Sequence, residues 1–284
     1  MKQGWIFDVI ADYIHNTILL WIKDESGATI RLQDTYQPSI YVYSTSANLQ
    51  DLIHHYEGYR GIDTFTYEKK KLWIGTPKKN VLKITLTDYQ LVRELIQDIN
   101  EYGCFSQYEL FNSGINIPLM YMIERNLSPL TKGELSHQFI LKENPQAIDY
   151  EKPKIKDVTL NAETKGVTHN ATWDNILTKI WINDVLITGS EEEILRETLY
   201  EIHRINPDII YTDGGDSFLF PYLYHRAYIN SIPDFYLGRE KDIVPQRKER
   251  SYFSYGRTIY RPPSCMINGR IHIDRTSSFL YTAV

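Results

Sequence analysis

The sequence has only two cysteines among its 284 residues, Cys104 and Cys265, and they fall in no CxxC or Cys/His spacing. A zinc site is therefore not expected, and a reducing environment suits the chain. The sequence also lacks a run of about 18 apolar residues and an N-terminal apolar segment of the signal-peptide type. We therefore expect a cytoplasmic protein that makes no contact with a membrane.

An excess of positive charge is missing too, because the formal net charge is -5. The chain as a whole is not a basic nucleic-acid-binding protein, so any contact with nucleic acid would have to be local. The basic candidates are Lys69–Lys71, Lys78–Lys79 and Arg247–Arg250. Solvated hairpin tips and loops explain the same three runs equally well.

What the chain does have is a globular composition, with 42% hydrophobic residues, 24% charged residues and 22 tyrosines. Its length allows two domains. Residues 1–130 predict an α+β domain, with strands at Trp5–Tyr13 and Thr17–Lys23. A helix is predicted near residues 48–56, and a capping box beginning at Thr87 predicts another.

Residues 131–284 predict a second domain of the α/β class. A polar, proline-containing segment at 127–157 leads into it. Strands are predicted at 158–162, 208–212 and 269–274. A capping box begins one helix at Ser190, and Pro221 is placed in the first turn of the next. Alternating strands and helices are typical of an α/β sheet.

Several short motifs follow one another in a specific order and spacing. The motifs are Trp5-Ile-Phe-Asp-Val, Tyr36-Gln-Pro-Ser-Ile-Tyr-Val-Tyr43, Tyr108-Glu-Leu-Phe-Asn, Asn206-Pro-Asp-Ile-Ile, Leu237-Gly-Arg and Gly269-Arg-Ile-His-Ile-Asp274. In that order and spacing they resemble the N-terminal region of archaeal-type family B DNA polymerases.

The resemblance implies an α+β N-terminal domain followed by a ribonuclease H-like 3′-5′ exonuclease domain. It further implies that the palm, fingers and thumb of the polymerase are supplied elsewhere in the same chain or by a second chain. The parent enzyme would be a nucleotidyltransferase that extends DNA with magnesium ions. The expected partners are template or single-stranded DNA and those remaining polymerase domains.

Proofreading by this family resembles two-metal hydrolysis, in which ions about 3.5–4 Å apart are held by carboxylates. The first family motif, Asp-x-Glu, matches Asn161-Ala-Glu163, so its first acid is an amide here. The acid of the second motif matches Leu219, and the third motif would lie beyond Val284. We therefore expect no metal, no cofactor and no exonuclease or polymerase activity in this segment, which would act as a structural and DNA-handling platform.

Two alternatives remain open from the sequence. Asp213 or Asp216 would serve as relocated metal ligands in an active exonuclease, whereas the simpler interpretation makes them turn and N-cap residues. Glu163 would either face solvent or pair with a cation from the charged segment at 240–250. A stand-alone, non-catalytic interaction protein is the third functional possibility.

The resemblance also implies a pocket for a template base in the N-terminal domain. Tyr13 and Pro38 match two of its positions, and the helix containing Ile117 and Met120 matches a third element. Met120 stands where the family has an arginine, which removes a polar anchor for uracil. Packing at a sheet edge explains Tyr13 and Pro38 without a pocket.

Overall fold

The computed structural model describes residues 2–136, 139–142, 144, 149, 151–166, 172–241, 246–247, 250–254, 256–261 and 263–276. It divides the chain into two compact units, Met1–Pro153 and Lys154–Val284. None of the helices in these described ranges is long and apolar enough to span a bilayer.

The described part of the first unit consists of antiparallel strands and three helices. The strands are β1 Lys2–Asp12, β2 Thr17–Asp24, β3 Thr29–Thr35, β4 Ser39–Tyr43, β5 Ile62–Lys71, β6 Lys78–Leu86, β7 Glu109–Phe111, β8 Lys132–Leu135 and β9 Phe139–Leu141. The helices are α1 Ser46–Tyr56, α2 Leu91–Tyr102 and α3 Ile117–Glu124. This arrangement confirms the predicted α+β character.

Two sheets share the hydrophobic core of the first unit. One has the strand order β3-β2-β1-β8-β9 and the other the order β5-β6-β4-β7. Residues of both sheets, such as Ile22 and Ile84, join one cluster with Leu52 of α1 and Leu95 of α2. Because strand side chains alternate between faces, each sheet keeps one face for this core.

Three predictions for the first unit were wrong. The division between units falls at Pro153 rather than at residue 130, because β8 pairs with β1 and carries β9 into the same sheet. The segment at 127–157 is therefore not a simple linker. Helix α2 begins without the capping box predicted at Thr87, since its N-cap is Gln90 and no side chain caps it.

In its described residues the second unit has one five-stranded mixed sheet, two two-stranded sheets, β14-β17 and β15-β16, and two α-helices. The strands are β10 Asp157–Lys165, β11 Ile176–Ile182, β12 Val185–Thr188, β13 Ile209–Thr212, β14 Gln246–Arg247, β15 Arg250–Ser254, β16 Arg257–Arg261, β17 Ser264–Cys265 and β18 Ile271–Asp274. The helices are α4 Glu191–Ile205 and α5 Phe220–Ile229, and a π-helical turn, Gly215–Leu219, precedes α5.

The central sheet has the order β12-β11-β10-β13-β18. Strands β10, β13 and β18 are parallel, so their carboxyl ends meet at one edge. The predicted α/β class is thereby confirmed. The capping box at Ser190 is present, and Asn206 ends α4 in the left-handed conformation.

Candidate nuclease site

The candidate site lies where the three parallel strands end. Thr159 of β10 is level with Tyr211 of β13, and Thr212 is level with Asp274 of β18. Asn161 lies two residues beyond Thr159, and Asp213 directly follows β13, so both lie towards this edge of the sheet. The sheet topology therefore brings together the segments that the sequence assigned to the first two exonuclease motifs.

The one acid retained from the first motif is engaged by a neighbouring lysine. Glu163 and Lys179 are directly opposite each other on β10 and β11. The Lys179 Nζ lies 3.1 and 3.2 Å from the two carboxylate oxygens of Glu163. The described partner of Glu163 is therefore a strand residue, in place of the predicted cation from the 240–250 segment. Most of that segment lies outside the described residues.

Leu219 is a core residue. It is 6% exposed and clusters with Leu160, Ile210 and Phe220. The π-helical turn that ends at Leu219 directs this part of the chain into the interior. An aliphatic side chain at this depth contributes packing and offers no ligand atom for a cation.

Asp213 and Asp216 have partners other than helix N–H groups, so their prediction as caps was wrong. Asp213 forms a bidentate ion pair with Arg275, at 2.6 and 3.0 Å. The Asp216 carboxylate accepts a hydrogen bond of 2.7 Å from the backbone N–H of Cys265. Gly214 is the N-cap of the π-helical turn.

His272 links Asp216 to the end of β13. Its Nδ1 lies 3.1 Å from Asp216 Oδ1, and its Nε2 lies 2.7 Å from the hydroxyl of Thr212. The arrangement resembles an acid–histidine–hydroxyl relay, but the Thr212 side chain is fully buried and the His272 side chain is 3% exposed. Gly215 packs directly over both, so no substrate reaches the hydroxyl. The relay is structural.

Asp274 is a residue of this region that the sequence reasoning missed. Its carboxylate accepts hydrogen bonds from the backbone N–H groups of Gly214, Asp216 and Thr276 and from the Thr276 hydroxyl. Burial raises the pKa of Asp274, but these hydrogen bonds outweigh it and the net pKa is lowered. The sequence offered one signal for Asp274, because an acid stands at the end of the third parallel strand.

A second network lies at the opposite, amino-terminal side of β13. Asp208 is fully buried, and its carboxylate accepts a 2.8 Å hydrogen bond from the N–H of Lys156 and a 2.7 Å one from the Nη2 of Arg239. Arg270 donates to Asn206 Oδ1 at 2.9 Å and to the Leu237 carbonyl at 2.9 Å. Burial lowers the pKa of both arginines.

Three of the motifs that carried the family resemblance meet in this network. Asn206 to Asp208, Leu237 to Arg239 and Gly269 with Arg270 are distant in sequence and joined here by hydrogen bonds. Their chemistry is that of a buried structural clamp, because arginine forks satisfy carbonyl and carboxylate oxygens that burial would otherwise leave unpaired.

The four residues predicted for a template-base pocket do not share one lining. Ile117 and Met120 are 3% and 1% exposed and belong to the core. Pro38 is buried, and its carbonyl accepts a hydrogen bond from Leu86. Tyr13 is 44% exposed and contacts the Tyr89 ring edge-on at 5.9 Å. A template-base pocket at these four positions stays a prediction.

Across the described ranges, no group of three or more His, Cys, Asp or Glu side chains is placed to hold a metal ion. The acids near the site are each paired with a cation or with hydrogen-bond donors of the protein.

Comparison with known proteins shows what the second unit is similar to. The sequence model of the family described as "DNA polymerase family B, exonuclease domain" matches residues 148–280. The whole chain resembles the N-terminal and exonuclease region of archaeal family B DNA polymerases, as the sequence motifs predicted.

The individual relatives are archaeal polymerases. The DNA polymerase of Methanocaldococcus jannaschii is 28% identical over 215 residues, which are 69% of this chain and 12% of that polymerase. The DNA polymerase of Archaeoglobus fulgidus is 21% identical over 289 residues, which are 96% of this chain and 34% of that polymerase. This chain therefore spans at most about a third of the length of these two relatives.

A solved structure shows the same fold. The family B DNA polymerase from the hyperthermophilic archaeon Pyrobaculum calidifontis superimposes with a TM-score of 0.73 at 15% identity, covering 96% of this chain and 36% of that one. At this identity the likeness establishes the fold, and the chemistry has to be argued from the residues.

Proposed function

We propose that this chain is the N-terminal and exonuclease-like part of a family B DNA polymerase and that its exonuclease unit is a non-catalytic platform for DNA. The proposal rests on which residues stand at the exonuclease motif positions and on what they contact. Asn161 is neutral, Leu219 is buried among aliphatic side chains and Glu163 is paired with Lys179.

The residues present do not fit a pair of divalent cations. Magnesium and manganese need several anionic oxygens facing one point. Here Asp213 already pairs with Arg275, and Asp274 already accepts hydrogen bonds from the turn. Recruiting Asp274 as a ligand would break hydrogen bonds that hold the turn, and recruiting Asp213 would break its ion pair with Arg275. Relocated ligands are therefore not favoured by the geometry.

The wider role follows from the resemblance. In our proposal a palm, fingers and thumb, in the same or a second chain, extend DNA with magnesium in the cytoplasm. The present chain supplies a scaffold beside them. We also propose that the second unit is ribonuclease H-like, which its mixed five-stranded sheet with flanking helices supports.

The test is a nuclease assay on 5′-labelled single-stranded DNA with magnesium or manganese. The purified chain should shorten the strand no faster than its Glu163→Gln variant does. Because that variant removes the one retained motif acid while keeping the size of the side chain, it separates genuine activity from a contaminating nuclease. Shortening by the wild type that disappears in the Glu163→Gln variant would overturn the proposal.

A further inference from the structure

Strand β5 forms an open edge of the sheet β5-β6-β4-β7, because among the described residues β6 is its one neighbouring strand. It has ten residues, and none of them is buried. The other edge strands of the three larger sheets have three to seven residues. Natural proteins usually keep an edge strand short, because its unpaired N–H and C=O groups can pair with another chain.

The edge of β5 is regular over most of its length. Eight consecutive residues, Thr64–Lys71, pair one by one with β6, and the register shift lies before them, between Ile62 and Thr64. A bulge keeps other strands from an edge, so only the first end of β5 is protected in this way. Along the regular part, alternate residues direct their N–H and C=O groups away from β6. A further strand can therefore add along Thr64–Lys71 without interruption.

The second half of β5 lies in an excess of positive charge. Lys70 is directly opposite Lys79 of β6, and Lys71 is directly opposite Lys78. Like charges in such positions destabilise a strand pair. Glu68 relieves part of the repulsion, because its carboxylate lies 2.9 Å from the Nζ of Lys70. Within the described ranges, no carboxylate is paired with Lys71, Lys78 or Lys79.

The first half of this regular part is uncharged. Thr64–Tyr67 contains no lysine, and the Tyr67 side chain is 54% exposed. Because side chains alternate along a strand, Lys69 and Lys71 lie on the same face as Tyr67. Aromatic rings pair favourably with β-branched side chains across strands. A complementary strand is therefore β-branched beside Thr64–Tyr67 and acidic beside Lys69–Lys71.

We propose that β5 is a docking edge for an extended acidic segment of a partner protein, which adds to the sheet as an antiparallel strand. Hydrogen bonds to the backbone of β5 hold the segment, and its carboxylates neutralise the lysines that the hairpin leaves unpaired. The same lysines disfavour strands that lack acids. A nucleic acid satisfies the lysines but not the row of backbone N–H and C=O groups, so the observations favour a polypeptide.

Fluorescence anisotropy on the full chain tests the docking edge with a labelled synthetic peptide, Glu-Asp-Glu-Thr-Val-Thr-Val-Thr. In the antiparallel register its acids lie beside Lys69–Lys71. One control peptide has proline in place of both valines, which keeps the charge but prevents the ladder. A second control has lysine in place of the acids. The acidic peptide should bind at least about tenfold more tightly than either control.

A charge reversal in the chain tests the lysines. The double variant Lys69→Glu, Lys71→Glu should bind the acidic peptide about tenfold or more weakly and should bind the lysine peptide more tightly than wild type does. The matched control is Lys152→Glu, Lys154→Glu, because both residues are exposed and lie outside β5. Its affinities should equal those of wild type. Circular dichroism confirms that each variant is folded.

Amide hydrogen exchange, resolved by residue, gives a readout that charge attraction alone would not change. The acidic peptide should slow exchange at alternate residues of Thr64–Lys71, whose N–H groups face away from β6. Absence of this protection, equal binding of the proline peptide, or the same loss in the Lys152 and Lys154 variant would overturn the docking edge.

Two further outcomes would assign the edge to another occupant and so overturn the proposal. The first is tighter binding of oligo-dT than of the acidic peptide, lost in the Lys69 and Lys71 variant. The second is a dimer of the free chain in sedimentation that protects β5 without any peptide. The docking edge does not rest on the proposed function, and none of these results bears on the nuclease assay.

Discussion

The Nζ of Lys179 lies within 3.2 Å of both carboxylate oxygens of Glu163, across the β10–β11 pair. The two side chains are 40% and 50% exposed, so water screens the attraction. The ion pair neutralises the retained motif acid without being needed for the fold.

We expect Lys179→Met to change the free energy of unfolding by less than about 1 kcal/mol. Urea unfolding of Lys179→Met, Glu163→Gln and the double variant measures the coupling between the two residues. A coupling above about 2 kcal/mol would show that the pair is a structural element, contrary to this expectation.

Unlike the exposed Glu163–Lys179 pair, the buried clamp around Asp208 should contribute strongly to the free energy of unfolding. Asp208→Asn leaves the buried Arg239 guanidinium without its counter-charge, and we expect a loss of about 3–5 kcal/mol in the free energy of unfolding. Asp184→Asn is the matched control, because Asp184 is exposed and its substitution should cost less than about 0.5 kcal/mol. Comparable losses in the two variants would contradict the importance of the clamp.

The stability of the turn before α5 should depend on pH through Asp274. Its folded pKa is lowered, so its carboxylate stabilises the fold above the ordinary aspartate pKa of about 3.9 and loses that effect as the pH falls through the lower folded value. Asp274→Asn should therefore cost about 2 kcal/mol at pH 7. The difference from wild type should shrink between about pH 4 and pH 2.

Chemical unfolding at a series of pH values measures this difference. If the difference in the free energy of unfolding between wild type and Asp274→Asn stayed constant down to pH 2, the turn would not depend on the ionised carboxylate. Thr276→Val is a useful companion variant, because it removes the hydroxyl that donates to Asp274 and accepts from the Gly214 N–H, and leaves the Asp274 carboxylate in place.

Gly215 should not tolerate a side chain. A Cβ there would lie 2.0 Å from Thr212 Oγ1 and 2.5 Å from His272 Nε2, so we expect Gly215→Ala to cost about 1–3 kcal/mol through overpacking. At Gly214 an added Cβ would meet only the Ser217 Oγ, at an ordinary contact distance of 3.8 Å, but the backbone there has a positive φ of 74°. The cost of Gly214→Ala, about 1–2 kcal/mol, has a conformational origin.

A Thr212→Ala background separates these two causes in thermal or urea unfolding. Removing the hydroxyl should recover part of the loss in Gly215→Ala and none of the loss in Gly214→Ala. Equal recovery in both would show that steric contact with Thr212 is not the reason.

Much of the architecture was predictable because it is coded locally. The period of apolar residues and the Ser190 capping box located α4, and Pro221 located the start of α5. Strands β8 and β9 were missed because they are only four and three residues long. In addition, β8 pairs with β1 residues more than 120 positions away, and β9 pairs in turn with β8.

Part of the candidate site was likewise predictable from the sequence, and part was not. Residue type alone showed that Asn161 and Leu219 are not carboxylates, since ligand chemistry belongs to the side chain itself. The partners of the remaining acids were not readable from the sequence. Lys179 becomes a neighbour of Glu163 only when β10 and β11 pair in antiparallel fashion. Arg275 and the turn N–H groups reach Asp213 and Asp274 only when the parallel strands place their ends together.

Local chemistry thus specified which groups the chain carries and which elements it forms, because propensity, capping and apolar period act over a few residues. Long-range packing specified which acids are neutralised, which arginines are buried and which aromatic rings stay open to solvent. Those outcomes depend on contacts between segments that are far apart in sequence, and such contacts form only when the sheets bring the segments together.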